Sequence, residues 1–136
     1  SPTETRCQVL QSVYTLGRRA AALADDDAAF RQGVAELLFN WGLEVEEAPD
    51  GAAALELLRL RPPSLALLDM HMPGFTGLEI LTTLRRETLS VPCIFWSANA
   101  SEVIERLARR EGALAVLRKP VPAAELRRHL NEALNL

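Results

Sequence analysis

Leu65-Ala66-Leu67-Leu68-Asp69-Met70-His71-Met72-Pro73-Gly74 is the stretch that decides the fold. Four consecutive apolar residues end in a carboxylate, and a loop rich in Pro and Gly follows. Pro62-Pro63 closes off whatever precedes them. A short, unbroken apolar run bounded in this way fits a strand buried on both faces, the habit of parallel sheets covered by helices. Asp69 then falls at the carboxyl end of that strand.

Outward from this strand, short apolar runs alternate with amphipathic stretches. Upstream, Ala20–Ala24 reads as a strand, though a weak one on propensity because Ala is a poor strand former. Phe30, Val34, Leu37, Leu38 and Trp41 recur along one helical face, and Gly42 stops that helix. Leu43–Ala48 is a second strand, Pro49-Asp50-Gly51 a turn, and Ala52–Leu60 a helix. Downstream, Leu78, Leu81 and Leu84 mark a helix, Val91–Trp96 another buried strand, and Ser101–Arg110 a helix capped by Gly112. Leu114–Leu117 and Ala123–Leu134 complete the series as strand and helix. Five strands alternating with five helices predict βαβ units and a parallel sheet with helices on both faces. The fold expected is α/β, a doubly wound (βα)5 three-layer sandwich of flavodoxin-like type, with strand order 2-1-3-4-5 and its crevice at the carboxyl ends of strands 1 and 3.

The composition of the 136 residues narrows the classes of function. Hydrophobic residues make up 49% and charged residues 24%, ordinary globular values. A net charge of -3 and the lack of any basic run speak against direct nucleic-acid binding. No apolar stretch approaches a membrane span, and no leader is recognisable, so a cytoplasmic location is expected. Cys7 and Cys93 fit neither a disulfide framework nor a zinc pattern. The charged residues are skewed: one Lys, Lys119, against fourteen Arg, and five Asp against thirteen Glu.

The rare residues collect on one rim. Asp25-Asp26-Asp27 follow strand 1, Asp69 ends strand 3, Ser97-Ala98 end strand 4, and Lys119-Pro120 follow strand 5. The fifth Asp, Asp50, is explained by its turn. Carboxylates gathered at one rim repel one another unless a cation intervenes. A site with few protein oxygens and room for waters and a phosphoryl group suits Mg²⁺. Lys119, Ser97 and the N–H groups of the Asp69–Gly74 loop complete a cradle for phosphoryl oxygens, and an Asp can form an acyl phosphate. Asp69 is best placed as that nucleophile.

These motifs, in this order and spacing over about residues 20 to 135, resemble the receiver domain of two-component response regulators, the CheY-like family. They are Asp25-Asp26, the run Asp69-Met70-His71-Met72-Pro73-Gly74-Phe75-Thr76-Gly77, Ser97-Ala98 and Lys119-Pro120. The resemblance implies that Asp69 accepts a phosphoryl group from the phosphohistidine of a histidine kinase or a histidine phosphotransfer domain. Asp26, Asp69 and the carbonyl of His71 would ligate Mg²⁺, Asp25 acting through a metal-bound water. Ser97 would bond a phosphoryl oxygen, and Lys119 would pair with Asp69 or the phosphoryl group. Pro120 would follow a cis bond. Such a domain promotes its own phosphorylation and dephosphorylation but acts mainly as a signalling switch. A homodimer through the fourth helix, fifth strand and fifth helix belongs to the same expectation. Phe30 must face the core, and the family spacing to Arg31 then turns Asp25 and Asp26 inwards. Asp27 is left at the helix N-terminus, where a carboxylate caps well.

The sequence departs from the family at three positions. Val116 stands where an aromatic residue usually lies three before the Lys, which affects the usual readout rather than the phosphorylation chemistry. Trp96 either packs as an ordinary strand residue, the favoured reading, or replaces the missing aromatic. His71 either governs water near the phosphoryl group or points to solvent.

Asp69-x-His71-x-x-Gly74 also spells the short motif of cobalamin-binding domains, but the companion motifs are missing and Asp25, Asp26 and Lys119 go unexplained. An Asp-nucleophile phosphohydrolase of the haloacid dehalogenase type would carry its nucleophile after the first strand. A degenerate receiver serving as a docking scaffold is the remaining alternative, and the intact acid, hydroxyl and amine set argues against it. Residues 1–18 read as an N-terminal extension or linker and 19–136 as the receiver domain. The expectation is a receiver cut from a longer chain, such as a hybrid histidine kinase, with a stand-alone receiver as the close alternative.

Overall fold

The computed structural model describes residues 19–99 and 101–135. The expected linker, 1–18, lies outside the described residues. Strands β1 (Ala20–Ala24), β2 (Glu44–Ala48), β3 (Leu65–Asp69), β4 (Cys93–Ser97) and β5 (Ala115–Arg118) alternate with helices α1 (Ala28–Asn40), α2 (Gly51–Leu60), α3 (Gly77–Arg86), α4 (Glu102–Arg110) and α5 (Ala123–Leu134). All strand pairs are parallel, in the order β2-β1-β3-β4-β5. This is the doubly wound (βα)5 sandwich expected from the alternation.

The sheet separates two apolar layers by simple strand alternation. Ala66 and Leu68 of β3, with Cys93 and Phe95 of β4, face Leu58 of α2, Ile80 and Leu84 of α3 and Ala108 of α4. Leu65 and Leu67, with Ile94 and Trp96, face Val34 and Leu38 of α1 and Leu126, Leu130 and Leu134 of α5. β3 is buried at all five positions, as its unbroken apolar run requires. β1 is a strand despite its four Ala residues, because it lies between β2 and β3 and both ladders claim its backbone. Tertiary pairing outweighs a propensity difference of order 1 kcal/mol or less.

Several boundaries differ from the sequence expectation by one or two residues: β5 is Ala115–Arg118 rather than Leu114–Leu117, α2 starts at Gly51, α4 starts at Glu102 and β4 runs on to Ser97. Two strand starts have a clear cause. β4 begins at Cys93 rather than Val91, because Pro92 has no N–H to give the ladder. The Pro92 carbonyl still accepts from Ala66 N–H at 2.8 Å. β2 begins at Glu44 rather than Leu43, whose N–H returns to the Leu38 carbonyl of α1. Gly42 and Gly112 follow α1 and α4 with φ of 90° and 106°, a backbone that side chains resist and Gly permits.

Candidate functional site at the carboxyl rim

Four of the five strands deliver a polar side chain to the same rim. Asp25 follows β1 directly and its N–H reaches the Ala48 carbonyl at the end of β2, 3.2 Å away. Asp69 closes β3, opposite Trp96 in the β3–β4 register. Ser97 closes β4 opposite Arg118, and the Lys119 N–H returns to the Ser97 carbonyl at 3.0 Å. The Lys119-Pro120 bond is cis.

The three acids of the expected cluster meet in space. Asp25, Asp26 and Asp69 each offer a carboxylate oxygen, and these lie within 4.8 Å of one another. Asp25 and Asp69 are buried and Asp26 is exposed, so the cluster opens to solvent on one side. Lys119 Nζ stands 2.7 Å from Asp25 Oδ2 and 3.4 Å from Asp69 Oδ2. Three carboxylates against one ammonium leave two negative charges, which a divalent cation would complement.

The surrounding loops explain why the acids point inwards. Asp27 is the N-cap of α1 and accepts from Phe30 N–H at 3.1 Å, so it turns away from the cluster as the helix register predicted. Asp50 likewise caps α2, accepting from Ala53 N–H at 2.8 Å. After β3, Met70 and Met72 are buried and anchor the loop, while His71 between them is exposed. The His71 N–H donates to Asp69 Oδ1 at 3.1 Å. Thr76 and Glu79 form a capping box that starts α3. Gly77 lets α3 close on the site: a Cβ there would meet the Phe95 ring at 2.8 Å and the Asp69 carbonyl at 2.9 Å.

Burial raises the pKa of Asp69; the His71 N–H works against that, the Asp25 charge adds to it, and Lys119 lowers it. For Lys119, burial disfavours the ammonium, but the pairing with Asp25 and Asp69 outweighs it and raises its pKa. Ser97 is fully buried, and its Oγ accepts from Asn99 N–H at 3.1 Å. Cys93 is pushed up to about 12 by burial and behaves as a core residue.

Three residues that the sequence reading named make contacts in the site that it did not foresee. Arg31 Nη1 donates to the Asp25 carbonyl at 2.6 Å while its Nε holds Glu47 at 3.0 Å, tying the ends of β1 and β2 together. Phe30 lies under the Lys119 ammonium, which is 4.5 Å from the ring centroid. Trp96 Nε1 donates to Asp25 Oδ2 at 2.9 Å. A buried Trp must find an acceptor for its N–H, and that rule was the available signal. Trp96 does not stand in for the missing aromatic at Val116. Val116 pairs with Phe95 and packs with the α2–α4 layer, whereas Trp96 faces α1 and α5.

Comparison with known proteins shows the family. Residues 21–131 match the response regulator receiver domain family. The transcriptional regulatory protein PdtaR of Mycobacterium tuberculosis is 34% identical over 115 residues, covering 79% of this chain and 56% of the relative. The sensor histidine kinase AruS of Pseudomonas aeruginosa is 37% identical over 114 residues, covering 81% of this chain and 11% of the relative. The chain thus spans about half the length of regulators such as PdtaR, and far less of AruS. Among solved structures, the receiver domain of a Francisella response regulator superposes with a TM-score of 0.82 at 26% identity, covering 87% of this chain and 98% of that one. The receiver domain of NarL from Mycobacterium tuberculosis gives 0.78 at 33% identity, covering 88% and 98%. Among the described residues no helix is long and apolar enough to cross a membrane. With the sheet order and the matched residues in agreement, the chain belongs to the response regulator receiver domains of two-component signalling.

Proposed function

We propose that Asp69 accepts a phosphoryl group from the phosphohistidine of a histidine kinase or histidine phosphotransfer domain, in a Mg²⁺-dependent reaction, and that the domain then changes conformation to signal. The observation that carries this reading is the joint placement of Asp25, Asp26 and Asp69 with Lys119 bonded to two of them. A carboxylate oxygen of Asp69 attacks phosphorus in line with the P–N bond. The O–P bond of an acyl phosphate forms, the P–N bond breaks, and the imidazole leaves with its electron pair and takes up a proton. Asp26, Asp69 and the His71 carbonyl would hold Mg²⁺, with Asp25 acting through a metal-bound water, and the cation would offset the charge of the carboxylates and the phosphoryl oxygens.

The chain's own residues do the remaining work. Lys119 moves from Asp25 towards the new phosphoryl oxygens, as a compact ammonium on a flexible stem can. Ser97 turns its hydroxyl proton from its resting position towards another of those oxygens. Val116 lacks the ring that usually couples such a hydroxyl to the α4–β5–α5 face. Val103 and Leu107 of α4 and Leu114 before β5 are exposed apolar residues and support a homodimer on that face.

Acetyl phosphate with Mg²⁺ tests the reaction without a partner kinase. The wild type is expected to gain one phosphoryl group by mass, and Asp69→Asn none. If the wild type gains no mass, the chemistry assigned to Asp69 is wrong.

A further inference from the structure

Trp96 is fully buried, and among the described residues no buried side-chain nitrogen or oxygen lacks a partner. The acceptor for its indole is unusual: it is a metal-ligand candidate, Asp25, itself closed off from solvent. Three donors converge on that carboxylate. The Asp27 N–H holds Oδ1 at 2.9 Å, while Trp96 Nε1 at 2.9 Å and Lys119 Nζ at 2.7 Å share Oδ2. The Trp96 and Phe30 rings meet edge to face, with centroids 5.1 Å apart and planes at 89°.

The two donors to Oδ2 differ in permanence. Lys119 is also within 3.4 Å of Asp69 and, on the reading given under Proposed function, leaves Asp25 when a phosphoryl group arrives. The indole is rigid and packed between α1 and α5, so it stays. A buried carboxylate oxygen stripped of every donor would be costly, and the Asp27 N–H on Oδ1 would alone set the orientation of the group.

We propose that Trp96 is a positioning residue for the divalent cation. Its indole N–H fixes the orientation from which Asp25 serves Mg²⁺ and keeps Oδ2 bonded while Lys119 is engaged elsewhere. Removing the outer partner of a ligating group typically lowers metal affinity about 10–100-fold. Trp96→Phe keeps an aromatic ring and deletes the N–H, so its Mg²⁺ affinity is expected to fall about tenfold or more.

The test titrates MgCl₂ into wild type and Trp96→Phe by calorimetry, with thermal unfolding of both. It also follows the indole ¹H–¹⁵N resonances of the wild type. The Trp96 resonance is expected to exchange slowly with solvent, to shift on Mg²⁺ and to shift again with beryllofluoride as Lys119 leaves Asp25. The resonance of Trp41, which follows α1 and lies 5.4 Å from the Arg127 guanidinium, is expected to stay in place. A merely structural Trp96 would not report Mg²⁺ in this way. Equal Mg²⁺ affinity in a folded Trp96→Phe overturns the proposal, and so does a Trp96 resonance that ignores saturating Mg²⁺. The second criterion decides the matter if the variant does not fold. If the wild type is phosphorylated and binds Mg²⁺ while either criterion fails, the positioning role alone falls. If the wild type neither binds Mg²⁺ nor gains a phosphoryl group, both readings fall.

Discussion

Lys119→Met keeps an unbranched apolar stem and removes the only ammonium side chain in the protein. The ammonium lies 2.7 Å from Asp25 and 3.4 Å from Asp69. At an effective dielectric constant of about 20, those separations correspond to gross attractions of roughly 6 and 5 kcal/mol. Desolvation of the charges offsets most of that. What remains is the cost of leaving buried carboxylates without a cation, about 3–5 kcal/mol for a buried pair broken on one side. The Lys119 side chain keeps 18% of its exposure and Asp26 lies open to solvent, so the lower end, about 3 kcal/mol, is expected. For a domain of this size that is roughly 10 °C in Tm.

The same substitution should act oppositely on the cation. With no ammonium competing for Asp25 and Asp69, the variant should bind Mg²⁺ more tightly than the wild type. A ligand at a hundred times its Kd stabilises by about 2.7 kcal/mol, so Mg²⁺ should restore most of the loss. Urea unfolding followed by circular dichroism, in EDTA and in excess Mg²⁺, measures both effects. A loss below about 1 kcal/mol in EDTA would refute the electrostatic reasoning. An identical loss with and without Mg²⁺ would refute the shared site.

Three further outcomes are expected. Asp69 has a raised pKa in the folded protein, so its favourable contribution is present below the unfolded value and is lost as pH rises through the folded one. Asp69→Asn should therefore stabilise the metal-free protein at neutral pH, with the gain over wild type shrinking on acidification; a lower Tm at pH 7 would contradict this. Asp27→Ala should cost about 1 kcal/mol through the lost N-cap while leaving acetyl phosphate labelling intact, and lost labelling would show that Asp27 belongs to the cluster. Gly77→Ala drives a methyl against the Phe95 ring and the Asp69 carbonyl, so a loss of about 1–3 kcal/mol is expected in denaturant unfolding, together with slower phosphorylation.

The elements and the rim were legible because their signals are local. Strand alternation, the helical face Phe30–Trp41 and the cap at Asp27 each depend on residues a few positions apart. The rim followed from topology, since every parallel strand delivers its carboxyl end to one side. The strand starts at Glu44 and Cys93 were less legible, because the ladder depends on which backbone groups are already committed.

The sequence by itself determined which residues could meet: four Asp, Ser97 and the single Lys at the ends of four of the five strands. Tertiary structure alone decided how they divide the work. Asp25 and Trp96 are 71 positions apart, and no local pattern relates them. Whether a buried Trp bonds a carboxylate, or merely fills space, depends on the register of β4 against β3 and on the approach of α1. Those are long-range packing outcomes, settled only when two faces of one sheet are covered at once.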